Sequence, residues 1–170
     1  MRRRPVVLIG PMGAGKTSIG KKLARRLGAG FADSDRVVVQ RHGAIADIFD
    51  AEGESAFRAK EREVVSELLA SDGVVSLGGG AVLDLSTRAS LADLPVVMLS
   101  VSESAVESRL SGSHRPLLSR GGMDAWRLIA AEREPLYRDL ASVVVDTSHR
   151  PVSRVVDDIV AWLDPERGNP

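Results

Sequence analysis

Short, wholly apolar runs separated by amphipathic helical patterns make this chain an α/β protein built on a parallel sheet covered on both faces. Two observations carry that reading. The apolar runs show no polar alternation, as expected of strands with no wet side, and a glycine-rich turn joins the first run directly to a helical stretch. "PVVLIG" (5–10), "VVSL" (74–77), "VVMLSV" (96–101) and "SVVVD" (142–146) are the strands buried on both faces, and a further strand should end at "FADSD" (31–35). Between them Ile19, Leu23 and Leu27 recur every four residues, a helical stripe. Phe57, Val64, Val65, Leu68 and Leu69 form a second stripe, and Val152, Val155, Val156, Ile159, Val160 and Leu163 a third, with Pro151 as its first helical residue. "SGSHRPLLSRGGM" (111–123) interrupts the rhythm: it is polar, carries glycine and exceeds a connector's length, so it reads as a mobile functional loop.

At 170 residues the chain fits one domain, taken here as 1–170. Its 44% hydrophobic and 27% charged content belongs to a globular protein. Lys+Arg and Asp+Glu both number 23, so there is no charge footprint for bulk nucleic-acid or membrane binding. Cysteine is absent, which excludes disulfides, thiolate zinc sites and cysteine nucleophiles. His42, His114 and His149 lie scattered, without metal-ligand spacing. The opening "MRRRPVVLIG" is basic then apolar, but Gly10 and Pro11 cut the run well short of a secretory core, and the expected compartment is the cytoplasm.

"GPMGAGKT", residues 10–17, follows a strand and opens a helix, the context a phosphate-binding loop requires. Its glycines let the backbone wrap a phosphate with successive N–H groups inward, and the helix N-terminus adds positive potential. Gly13, Ala14, Gly15, Lys16, Thr17 and Ser18 are therefore the nucleoside triphosphate contacts. Lys16 bridges the β and γ phosphates, and the Thr17 hydroxyl ligates Mg²⁺. In "FADSD", Asp33 and Asp35 stand two apart, which on a strand places both carboxylates on one face beside the phosphate loop. Two roles stay open from spacing alone: a metal or proton-transfer pair, or an aspartate capping the next helix.

Taken in order, "GPMGAGKTSIGKKLARRLG", "FADSD", "IADIFDAEGESAFRAKE", "SLGGGAV", "RPLL" and "REPLYRDLA" resemble the shikimate kinases over nearly the whole chain. The resemblance implies a three-layer P-loop kinase with a five-stranded parallel sheet in the order 2-3-1-4-5, a substrate-binding region at about 33–62 and a mobile lid at about 111–123. It implies transfer of the γ-phosphoryl of ATP to the 3-hydroxyl of shikimate, on the way to chorismate and the aromatic amino acids. Asp33 matches the carboxylate that holds Mg²⁺ through water, and Asp35 the base that also binds the substrate. Gly78, Gly79 and Gly80 match the backbone that meets the substrate ring, where a Cβ would intrude.

By the same resemblance Arg58 and Arg133 bind the shikimate carboxylate, for which a planar bidentate donor is suited. Glu61, one helical step from Arg58, orients it, while Phe49 and Phe57 wall the pocket. Arg115 matches the lid arginine that closes over the transferring phosphates, and the neighbouring His114 reads as a solvated loop residue. Arg109 and the segment "DTSHRP" (146–151), with Arg150, match the adenine-binding surfaces. The expected protein is a monomeric, Mg²⁺-dependent kinase using ATP and shikimate, with no nucleic-acid or membrane partner. Two other readings stand beside it: a gluconate or nucleotide kinase on the same scaffold, and a nucleotide-binding regulator without transferase activity.

Overall fold

The computed structural model describes residues 4–110 and 121–164. Five strands, β1 (Val6–Ile9), β2 (Phe31–Asp33), β3 (Val74–Ser76), β4 (Val96–Ser100) and β5 (Val143–Asp146), form one parallel sheet in the order β2-β3-β1-β4-β5. That is the expected fold class and strand order. The register pairs Val7 with both Val75 and Val96, which puts β1 at the centre of the sheet. Helices α1 (Lys16–Leu27), α2 (Ser34–His42), α3 (Ile45–Glu52), α4 (Glu54–Leu69), α5 (Leu85–Leu91), α6 (Glu103–Leu110), α7 (Gly122–Leu140) and α8 (Val152–Leu163) complete the described architecture.

The two-residue period of the strands sorts their side chains into two cores. Val6 and Leu8 join Val97 and Leu99 under Ile19 and Leu23 of α1 and Val155 and Ile159 of α8. Val7 and Ile9 point the other way, to Met98, Val65 of α4, Leu91 of α5 and Tyr137 of α7. Each such buried side chain contributes about 1.5–3 kcal/mol, so β1, apolar on both faces, fixes both layers at once. A third cluster, Val38, Ile48, Phe57 and Val64, knits α2, α3 and α4 into a separate wall beside the sheet.

Three expectations need correction. β5 is not buried on both faces: Val145 is buried, but Val144 is 40% exposed, because β5 is the edge of the sheet and α8 covers only one side of it. Pro151 is the residue before α8 rather than its first helical residue, with extended backbone at ψ 139°. Asp35 is not on the second strand. β2 stops at Asp33, which caps α2 by accepting a hydrogen bond from Arg36 N at 3.2 Å, and Asp35 sits in the first helical turn. The capping role thus falls to Asp33.

Candidate active site

All the turns that leave the C-terminal ends of β1, β2 and β3 open into one cleft of about 530 Å³. Open α/β sheets place ligands at this edge. The phosphate loop forms one side. Gly13 and Gly15 adopt positive φ, 83° and 89°, and Gly15 precedes α1 with no side chain capping the helix and no acidic residue in its first turn. The first N–H groups of α1 are left for an anion. Gly13, Gly15, Lys16, Thr17 and Ser18 line the cleft, while Ala14 is fully buried beneath it. Lys16 Nζ folds over the loop and donates to Gly10 O at 2.7 Å and Pro11 O at 3.0 Å.

The back of this loop is held by groups that sequence reasoning missed or cast differently. Buried Thr147, just past β5, donates from its hydroxyl to Ala14 O at 2.8 Å. Arg109 donates to Gly13 O at 2.7 Å and to Thr147 O at 2.5 Å. Trp126 Nε1 donates to Met12 O at 2.8 Å from the start of α7. These bonds occupy the carbonyls of Met12, Gly13 and Ala14 from outside the loop. Arg150 turns away, onto Asp158 of α8 at 2.5 Å and the carbonyl of Asp146. Arg115 and His114 lie outside the described residues.

Thr17 Oγ1 and Asp33 Oδ2 are 3.1 Å apart at the mouth of the phosphate loop. Asp35 faces the same cleft from α2. Burial raises its pKa first, and the neighbouring Asp33 charge adds to that, against the opposing pull of Lys16 and Arg58. The two carboxylates do share a site, although one reaches it from a strand end and the other from a helix.

Opposite the phosphate loop, α4 supplies Arg58. Its Nη1 lies 2.8 Å from Glu61 Oε1, its Nε 3.7 Å from Glu54, and its guanidinium carbon 5.2 Å from the centroid of the Phe57 ring. Glu61 is only 3% exposed, and burial raises its pKa while Arg58 works to lower it. Buried Phe57 stacks at 4.9 Å on Phe49, which is half-exposed at the rim. Arg133 reaches the cleft from α7. The expected substrate residues Asp35, Phe49, Phe57, Arg58, Glu61, Gly78, Gly79, Gly80 and Arg133 thus all line a single cavity with the phosphate loop.

The glycine run has a steric reason that the sequence did not reveal. A Cβ on Gly78 would stand 2.4 Å from Asp35 Oδ1, and one on Gly80 would stand 2.6 Å from Arg58 Nη1. At Gly79 it would press on Arg133 Nη1 and the Tyr137 hydroxyl, each at 3.3 Å. The turn is bare so that four polar side chains from three helices can lie against it. Its backbone is also tied: Gly78 N donates to the buried Ser34 hydroxyl at 2.9 Å, and Gly79 O accepts from Tyr137 at 2.6 Å. Ser34 and Tyr137 were not singled out from the sequence. A signal existed for the second, since Tyr137 is the chain's one tyrosine and stands four residues after Arg133, on the same helical face.

A central phosphate loop, paired carboxylates beside it and two arginines across a shared cleft define a P-loop phosphotransferase acting on a small anionic acceptor. The family model described as shikimate kinase matches residues 12–164. A shikimate kinase of Streptomyces coelicolor is 48% identical over 148 residues, covering 85% of this chain and 86% of that protein. One from Francisella tularensis subsp. holarctica is 44% identical over 169 residues, 96% of each chain. The solved structure of an Acinetobacter baumannii shikimate kinase in complex with shikimate superimposes with a TM-score of 0.88 at 32% identity, over 98% of this chain and 96% of the other. The chain belongs to the shikimate kinase family.

Proposed function

We propose that this cleft transfers the γ-phosphoryl group of ATP to the 3-hydroxyl of shikimate, giving shikimate 3-phosphate and ADP for aromatic amino-acid biosynthesis. One observation carries the residue roles: Asp35, Arg58 and Arg133 crowd a bare glycine turn in the same cavity as Lys16 and the α1 N-terminus. Arg58 and Arg133 bind the shikimate carboxylate, with Glu61 holding Arg58 in place and Phe49 and Phe57 walling the ring. The acceptor oxygen attacks the γ-phosphorus, the bond to the β,γ-bridging oxygen breaks, and ADP leaves with that oxygen. The hydroxyl proton passes to Asp35, late in a loose transition state, so a weak base suffices. The loop N–H groups and Lys16 stabilise the charge that shifts onto the phosphates.

Thr17 and Asp33 suit a hard cation. Their oxygens are adjacent at the phosphate end of the cleft, and Mg²⁺ characteristically uses few protein oxygens, water and substrate phosphates. Among the described residues there is no group of three or more His, Cys, Asp or Glu side chains that could hold a metal ion. The bound ion would neutralise charge on the β and γ phosphates. Arg115, in the segment at about 111–123, would neutralise charge on those phosphates, and Arg109, bonded to the back of the phosphate loop, borders the adenine. The chain works as a single cytoplasmic domain and a monomer; no described helix is long and apolar enough to cross a membrane.

The test is ADP release with ATP and Mg²⁺, with shikimate supplied, omitted, or replaced by gluconate or a nucleoside monophosphate. Turnover that requires shikimate, and is lost in folded Asp35→Asn and Arg115→Ala proteins, is the expected result. Turnover with gluconate in place of shikimate would sink the substrate reading, and ATP binding without any turnover would favour a regulator.

A further inference from the structure

We propose that Tyr137 is a positioning residue of the acceptor site, whose single hydroxyl fixes the Gly79 carbonyl and the Arg133 guanidinium in one geometry and thereby sets affinity for the acceptor's carboxylate. The inference rests on the assignment of Arg133 to that carboxylate. A phenolic hydroxyl has one proton to give and lone pairs to receive with. Tyr137 gives its proton to Gly79 O at 2.6 Å, and the Arg133 guanidinium lies close enough to the same hydroxyl to pull its pKa down against burial. A Cβ added to Gly79 would lie 3.3 Å from both the Tyr137 hydroxyl and Arg133 Nη1, so both side chains flank the bare face of this glycine.

The two arginines of the cleft are held by opposite means. Arg58 is paired with Glu61 and Glu54. Among the described residues Arg133 makes no direct ion pair, Glu61 acting on it only at longer range, and the neutral Tyr137 hydroxyl is the group beside it at Gly79. A guanidinium steered by a neutral partner keeps its full charge for an incoming anion, whereas a carboxylate partner would compete with that anion. The hydroxyl stays neutral because burial raises the phenol pKa, with only a partial counter-effect from Arg133. The ring that carries it is 2% exposed and belongs to the close-packed cluster of Val7, Ile9, Leu77 and Val82. The turn is pinned on its other side by Ser34, so Tyr137 works against a fixed backbone.

Tyr137→Phe keeps the ring and removes only the hydroxyl. The expected result is a rise of about tenfold in KM for shikimate, the loss of one hydrogen bond to a charged group, with KM for ATP changed less than about twofold. If Tyr137 acts through Arg133, adding Tyr137→Phe to Arg133→Gln produces almost no further rise. Leu91→Ala, in the same apolar cluster but far in function from the cleft, serves as the control for stability alone. A Tyr137→Phe protein that melts lower but matches Leu91→Ala in its shikimate KM would overturn the proposal, as would full multiplication with Arg133→Gln. Should the Tyr137→Phe chain fail to fold, fluorotyrosine labelling decides on the native sequence, since one tyrosine yields one fluorine resonance. Saturating shikimate shifts that resonance if Tyr137 and Arg133 are coupled, and an unmoved resonance overturns the coupling. Wild-type protein with no shikimate-dependent turnover would overturn the substrate assignment instead, whatever Tyr137 does.

Discussion

An alanine at position 80 would place its Cβ 2.6 Å from Arg58 Nη1 and 2.7 Å from Nη2, and the guanidinium would have to move. Arg58 has little freedom to do so, because Glu61 holds it at 2.8 Å and the Phe57 ring lies against it. Gly80→Ala is therefore expected to raise KM for shikimate by about tenfold or more, the loss of one well-placed charged contact, with the protein still folded by circular dichroism. The Asp35 carboxyl yields a second expectation at this scale. Burial and Asp33 raise its pKa above the ordinary aspartate value, so between the ordinary and the raised value the folded state holds more protons than the unfolded chain. Stability then falls as pH rises through that window, and above it the ionised carboxylate stands as a penalty in the folded state. Glu61, raised mainly by its own burial, acts with the same sign. Asp35→Asn should consequently melt above wild type at neutral pH, lose that advantage in acid below the ordinary carboxylate range, and lose turnover throughout. Melting curves across pH check it; an Asp35→Asn protein that melts below wild type at neutral pH would contradict the burial argument.

Helix α7 joins the two halves of the cleft. Trp126, Ala130, Arg133 and Tyr137 recur at helical spacing along the face that lines it, and the first and last of them stand about 16 Å apart on the axis. Trp126 bonds the phosphate loop and Tyr137 the glycine turn, so one helix, with Pro135 inside it, reaches both the nucleotide and acceptor sides. Trp126→Phe removes the Met12 hydrogen bond, worth about 1 kcal/mol, and should raise KM for ATP by about fivefold while leaving shikimate affinity nearly unchanged. Isothermal titration with each ligand separates the two effects. Only part of this architecture is legible in the sequence, and α7, for which no apolar stripe stands out, is not in that part. β1, β3 and β4 were plain because burial on both faces removes every polar residue from a strand, and the phosphate loop was plain because its glycines and Lys-Thr pair are local. β2 is three residues long, too short to show a period, and so Asp35 was placed on the strand rather than the helix. The edge position of β5 depends on what packs beside it, which its own apolar residues do not encode. The need for bare glycine at 78–80 arises from Asp35, Arg58, Arg133 and Tyr137, side chains brought from distant parts of the chain.

For the molecule as a whole, the two ends of the cleft differ in what their charges can accomplish alone. On the proposed assignment, the acceptor end offers Arg58 and Arg133 to one substrate carboxylate, with Glu61 already paired to Arg58, and requires no additional cation. The phosphate end has Lys16 and backbone dipoles, yet it also presents Asp33 and Asp35 to a polyanionic triphosphate. Two carboxylates beside a triphosphate repel it unless a cation lies between them, and Thr17 with Asp33 offers the oxygens to place one. Chelation should therefore act on one end only. Shikimate near 100 times its Kd contributes about 2.7 kcal/mol, a rise in melting temperature of about 5–11 °C for a chain of this size, and that rise should persist in chelator. The rise produced by ATP should shrink in chelator and in Asp33→Asn, and shikimate-dependent ADP release should stop. An ATP-induced rise that is indifferent to both treatments would mean that Lys16 and the loop N–H groups hold the triphosphate without help, and that Asp33 serves α2 as a cap and nothing more.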